Sequence, residues 1–214
     1  MAAPRRIFLL SPAHCGGERA RVVFNPRAEF ELAHRLRSSE GVPLGEVFAF
    51  LSGLYFRGKL AYAREFATPP RGVPGALVIT TNEGLRSPDE PVTLTRLKRF
   101  ARGDIHEADR RYRRPLLRDA RLIAEAAGRN CEVVLLGSVA SGKYVDVLGQ
   151  VFGERLLFPI AFVGRGDMSR GGLMLRCARA GIELEYVPVA GAVRHGPRPP
   201  KLPPLPRRPV EPRP

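Results

Sequence analysis

The sequence predicts an α/β fold, namely a three-layer α/β/α sandwich around a mostly parallel central sheet of four to five strands. Short apolar runs alternate with segments of helical periodicity along the 214-residue chain, which is typical of parallel sheets covered by helices. Small-residue loops follow the apolar runs. A hydrophobic content of 44% suffices for one core, and we therefore predict a single domain over residues 1–193.

Five apolar segments are predicted as strands because each is short, apolar and bounded by glycine, proline or polar residues. They are residues 7–10, 76–80, 132–136, 156–163 and 184–189. Pro159 cannot donate a hydrogen bond to a neighbouring strand, so we expect segment 156–163 to be an edge strand or irregular.

The segments between the strands carry apolar residues at helical spacing. Predicted helices span residues 27–37, 44–66, 94–101, 115–127, 144–152 and 169–180. Pro115 suits the first position of its helix, because the N–H that it lacks would be unpaired there. Gly128 and Gly181 are stop signals for the helices before them.

The composition changes after residue 193. Residues 194–214 are rich in proline and arginine, so we predict an extended or disordered basic tail. Arg198 makes this tail a candidate phosphate-binding arm, and an inert tail is the alternative.

The three cysteines show no metal-binding or disulfide spacing. No apolar run reaches the about 18–20 residues of a membrane span. We expect a cytoplasmic protein without a metal, an organic cofactor or a membrane partner.

A net charge of +14 makes nucleic acid the first partner to consider. DNA is the partner that we predict, although a high-GC coding bias toward arginine is a competing explanation. The densest basic segment contains Arg110, Arg111, Arg113 and Arg114. This cluster is predicted either to grip phosphates or to form a solvated helix face.

The sharpest local signal is the end of the strand at 132–136. The letters from Gly137 to Lys143 match G-x-x-x-x-G-K, a loop that cradles phosphate. Ser138 and Lys143 are therefore candidate phosphate contacts. Tyr144 stands where a serine or threonine would hold magnesium, and no later strand ends in aspartate. A phosphate-loop enzyme, a simple anion pocket and a structural turn all remain open.

Ligands of open parallel sheets bind beyond the carboxyl ends of the strands. We therefore expect residues 14–18, 82–86, 138–143 and the segment after Val189, which reaches His195, to converge. The glycine-rich loop 164–172 is a further candidate. It offers Asp167 as a catalytic carboxylate, and it offers Arg165 and Arg170 as phosphate contacts near a helix N-terminus.

The order of these features resembles the uracil-DNA glycosylase superfamily over residues 6–198. The resemblance rests on Asn82 after the second strand, on the Val133–Gly137 segment and on His195-Gly196-Pro197 near the end. It implies a DNA-binding enzyme that excises a base. It also implies that Asn82 reads the edge of the flipped base, that His195 stabilises the leaving base, and that the first loop activates water.

Hydrolysis of an N-glycosidic bond builds positive charge on the sugar and negative charge on the base. A carboxylate or a neutral histidine can orient the water, and His14, Glu18 and Asp167 are the candidates. Tyr55 and Phe56 are either core residues or a platform on which the base stacks.

Two other functions fit the same sequence. One is a transferase of similar fold that acts on free nucleosides or nucleotides. The other is a non-catalytic nucleic-acid-binding module, in which the arginine cluster and the tail supply all activity. The residues do not indicate which base is the substrate or what the oligomeric state is.

Overall fold

The strands form one large sheet and one small sheet. The computed structural model describes residues 4–202. Its strands are β1 (Arg5–Leu10), β2 (Val42–Pro43), β3 (Ala76–Ile79), β4 (Leu85–Arg86), β5 (Pro91–Val92), β6 (Cys131–Leu136), β7 (Leu156–Pro159) and β8 (Tyr186–Pro188). Strands β2 and β5 pair with each other, and the other six form the central sheet in the order β4-β3-β1-β6-β7-β8.

The central sheet is mostly parallel. Strands β3, β1, β6 and β7 are parallel, whereas the edge strands β4 and β8 are antiparallel to their neighbours. The predicted α/β sandwich is confirmed, but the sheet has six strands rather than four to five. The sequence pattern missed β4 because two residues are too few to show alternation.

Helices cover both faces of the central sheet. Within residues 4–202 they are α1 (Glu18–Phe24), α2 (Glu31–Arg37), α3 (Leu44–Ser52), α4 (Leu54–Phe66), α5 (Leu94–Ala101), α6 (Arg110–Ala127), α7 (Gly142–Phe152) and α8 (Asp167–Ala180). Two short 3₁₀-helices, Gly153–Arg155 and Ile160–Phe162, flank β7.

Several helix predictions were wrong. Helix α1 was not predicted, and α2 begins at Glu31 rather than at residue 27. The helix predicted over 44–66 divides at Gly53, whose φ of +55° leaves the right-handed helical region. Helix α6 begins at Arg110 rather than at Pro115. The Asp109 carboxylate accepts a hydrogen bond from the Arg111 N–H at 2.8 Å and caps the helix there.

The end of the chain also differs from the prediction. Strand β7 is not an edge strand, because β8 pairs with its free side through Pro159 and Tyr186. Strand β8 runs antiparallel, so the Val189 N–H donates to the carbonyl of Leu156 at the amino end of β7. The segment after Val189 therefore starts at the amino ends of the parallel strands, and not at their carboxyl ends as predicted. An apolar pattern does not encode strand direction, since it is the same in both directions.

Strand β1 separates two apolar clusters, since successive side chains of a strand face opposite sides. Phe8 and Leu10 pack with residues of α1 to α5 and α8. Ile7 and Leu9 pack with α6 and α7. Packing in these two clusters fixes the positions of the central strands, and so of the loops that follow their carboxyl ends.

The basic tail is described only in part. Residues 194–202 have no regular secondary structure, and Arg165 Nη1 donates to the carbonyl of Pro200 at 3.5 Å. The remainder of the predicted tail lies outside the described residues. Among residues 4–202, no helix combines the length and apolar character that a membrane crossing requires.

Candidate functional site

A cavity of about 340 Å³ lies beyond the carboxyl ends of β1, β3 and β6. Strand β1 lies between β3 on one side and β6 on the other, so the strand order reverses at β1. Open α/β sheets bind ligands at such a point. We call this cavity the central cavity. Its lining comprises residues 11–16, 100, 101, 103–105, 138, 143 and 144, together with Ser52, Tyr55, Thr81 and Asp167.

Five of the predicted site residues line the central cavity. They are His14, Tyr55, Ser138, Lys143 and Asp167. Four parts of the fold carry them to one place: the loop after β1, α4, the segment from Ser138 into the start of α7, and the first turn of α8. The Asp167 side chain is 68% exposed, and His14 is also exposed, whereas Tyr55 is only 6% exposed.

Four other predicted residues do not line the central cavity. Glu18 is exposed at the first position of α1, beyond the lining loop. Phe56 is fully buried in the core, so it offers no stacking surface. His195 is exposed and absent from the cavity lining, although the chain after β8 turns back so that Gly196 lies beside Val163, beyond the carboxyl end of β7. Asn82 lies outside because its amide donates to the carbonyl of Arg99 at 3.0 Å.

Asn82 belongs instead to a neighbouring surface, which we call the arginine groove. The groove is lined by Asn82, Glu83, Arg99, Arg110, Arg111, Arg114 and Pro115. A ridge separates it from the central cavity. Thr81 and Asn82 each donate to the end of α5, at Phe100 and Arg99 respectively. Thr81 and Phe100 face the cavity, whereas Asn82 and Arg99 face the groove.

Arg113 is absent from the lining of the groove, although its neighbours are present. Its guanidinium donates to Gln150 on α7 at 3.0 Å. Helical spacing explains the difference, since residues 110, 111 and 114 share a face that residue 113 does not fully share.

Two of the other predicted phosphate contacts, Arg165 and Arg170, have structural partners. Arg170 is 8% exposed, and two of its nitrogens donate to the carbonyl of Phe162. Arg165 donates to the carbonyl of Ala161 at 2.9 Å. Arg165 and Arg198 line a separate surface pocket beside the tail. None of these three arginines lines the central cavity, and phosphate contacts by the 164–172 loop and by the tail stay predictions.

Sequence reasoning missed Lys59, which lies directly behind the central cavity. Its side chain is fully buried, and Nζ donates to Ser11 Oγ at 2.9 Å and to the Ser11 carbonyl. Nζ also lies 4.3 Å from the centre of the Tyr55 ring. Burial lowers the pKa of Lys59 to about 7, with Asp167 opposing this shift and Arg170 adding to it.

A signal for Lys59 was present in the sequence. Lys59 follows Tyr55 by four residues and precedes Tyr62 by three, so it lies on the apolar stripe of α4. A lysine on such a stripe is buried, and a buried charge needs compensation.

Unpaired polar groups occur at and beside the central cavity, whose lining includes Ser138 but neither Val139 nor Ala140. No hydrogen bond within residues 4–202 uses the N–H groups of Ser138, Val139 or Ala140. The hydroxyl of Tyr55 is buried and also has no partner among these residues. The Tyr112 hydroxyl donates to the carbonyl of Lys143 at 2.8 Å and fixes the start of α7. This edge of the cavity is suited to an anion or a carbonyl oxygen.

The described residues show no cluster of three or more histidine, cysteine, aspartate or glutamate side chains suited to a metal ion. Comparison of the chain with models of protein families, with curated proteins and with solved structures gave no match.

Proposed function

We propose that the chain excises a base from DNA by hydrolysing an N-glycosidic bond, with the base in the central cavity and flanking phosphates in the arginine groove. The observation that carries this proposal is the adjacency of the two surfaces across the Thr81–Asn82 ridge. A base that is flipped out of the duplex needs a pocket and a cationic grip on the neighbouring backbone.

The residues of the central cavity fit the charges of this reaction. Asp167 and His14 are available to orient water at the sugar, where positive charge develops. Lys143 and the unpaired N–H of Ser138 are available to stabilise the departing base anion.

Duplexes that each carry one modified base test the proposal, with alkali treatment revealing abasic sites. We expect strand scission for one class of modified base. Asp167→Asn should reduce the rate by about 10²-fold or more, as loss of a water-orienting carboxylate does. Glu18→Gln should retain activity, because Glu18 lies outside the cavity. Absence of scission across the whole panel would contradict the proposal.

A second candidate is an enzyme that acts on free nucleosides or nucleotides. The observation that favours it is the absence of Asn82, Glu18 and His195 from the cavity lining. Turnover of free nucleosides, without salt-sensitive affinity for DNA, would support this candidate over the first.

A further inference from the structure

Ser11 is placed like an activated nucleophile. It directly follows β1 and lines the central cavity, although only 5% of the residue is exposed. Its hydroxyl oxygen lies 2.9 Å from the amine of Lys59, within the range expected of a nucleophile and its base. Gly137 leaves room for this side chain, since a Cβ there would lie 3.3 Å from Ser11 Oγ.

Lys59 is suited to accept a proton. Its amine is fully buried and forms no ion pair within residues 4–202, so its charged form is disfavoured. Asp167 of α8 raises the pKa of Lys59, whereas Arg170 of the same helix lowers it. The hydroxyl groups of Tyr55 on α4 and Tyr144 on α7 are the other titratable groups near this cluster.

The neighbouring cysteine does not compete for this role. Cys15 also lines the central cavity, but burial raises the pKa of its thiol to about 12, so the reactive thiolate is scarce at neutral pH.

We propose that Ser11 is a nucleophile and Lys59 its general base, and that the central cavity accepts a carbonyl substrate of the ester or amide class. This activity goes beyond base excision and does not depend on it. A serine paired with a lysine can perform the acyl transfer that serine and histidine perform in other hydrolases.

Ser11 Oγ attacks the carbonyl carbon while its proton passes to Lys59 Nζ. The carbonyl oxygen becomes an oxyanion, to which the N–H of Ser138, the one residue of 138–140 in the cavity lining, is available to donate. The intermediate collapses with cleavage of the bond to the alcohol or amine, which takes the proton from Lys59. Water then attacks the acyl-serine and gives one proton to Lys59. The bond to Ser11 Oγ breaks, Oγ takes that proton back from Lys59, and a carboxylic acid, free Ser11 and neutral Lys59 result.

A fluorophosphonate probe tests the pair without a known substrate. Ser11 Oγ would displace fluoride from phosphorus, its proton would pass to Lys59, and peptide mass spectrometry would locate the adduct. We expect the labelling rate to rise with pH about a midpoint near 7, where Lys59 loses its proton. Ser11→Ala should abolish labelling, and Lys59→Met should slow it about 10²-fold or more.

Ser39→Ala is the matched control, since Ser39 is exposed and lies outside the cavity lining, and it should label normally. No labelling of the wild-type chain at pH 9, or an adduct on another residue, would overturn the proposal. A pH-independent rate would overturn it as well, and that measurement needs no variant. Because the assay contains no DNA, its outcome is independent of the base-excision test.

Discussion

A buried lysine ties the stability of this chain to pH. The pKa of Lys59 falls from an ordinary value of 10.5 to about 7 on folding. Between these values the unfolded chain binds a proton that the folded chain does not, so the free energy of unfolding increases with pH, by about 1.4 kcal/mol per unit at most. Below pH 7 both states hold the proton, and this dependence disappears.

Lys59→Met should remove this dependence. We expect the free energy of unfolding of wild type relative to the variant to rise between pH 7 and pH 10, and to be flat between pH 5 and pH 6.5. Urea denaturation of both chains across this range measures the difference. Parallel curves for the two chains would show that Lys59 stays charged in the folded state.

At the scale of elements, the contact between α4 and α8 positions the site. The two helices meet at Gly58 and Gly171, where backbone lies against backbone. A Cβ at Gly171 would lie 2.7 Å from the carbonyl oxygen of Leu54 and from Tyr55 Cα. This close approach brings Tyr55 and Lys59 of α4 beside the first turns of α8.

Gly171→Ala should therefore destabilise the chain by about 1–3 kcal/mol, as overpacking does. Gly172→Ala is the control on the same helix, because its Cβ would meet only Leu202, at 3.8 Å. That change should be neutral, or stabilising by up to about 1 kcal/mol from helix propensity. Thermal unfolding of both variants measures the contrast, and equal melting temperatures would argue against the tight crossing.

The sequence predicted the parallel central strands better than the antiparallel strands at the edges of the sheet. Strands β1, β3 and β6 are buried on both faces, so nearly every residue in them is apolar and the signal is strong. The loops after β1 and β6 were therefore placed correctly, and with them His14, Ser138 and Lys143. Strand β8 was misplaced because its direction depends on tertiary pairing.

The loop after β3 shows a finer limit. Thr81 faces the central cavity, whereas the next residue, Asn82, faces the arginine groove. This division depends on a tight turn in which the Thr80 N–H donates to the carbonyl of Gly84. Gly84 itself has a φ of +80°. Spacing along the chain identified the loop, but only tertiary hydrogen bonds to α5 determine which side chain enters the cavity.

At the scale of the whole molecule, the question is whether the net charge of +14 acts diffusely or through the arginine groove. Each phosphate contact contributes about 0.9 to the slope of log affinity against log salt. If Arg110 and Arg114 each hold a phosphate, changing both to glutamine should reduce the slope by about 1.8. Fluorescence anisotropy with a labelled duplex at several salt concentrations measures this.

Arg121→Gln with Arg129→Gln is the matched control. Both residues are exposed, at or beyond the other end of α6, and their loss changes the net charge equally. A diffuse field would make the two double variants behave alike, because only total charge would matter. A local groove predicts that the control keeps the wild-type slope while the Arg110 and Arg114 variant does not. Equal slopes for the two variants would leave the arginine groove without a role in binding DNA.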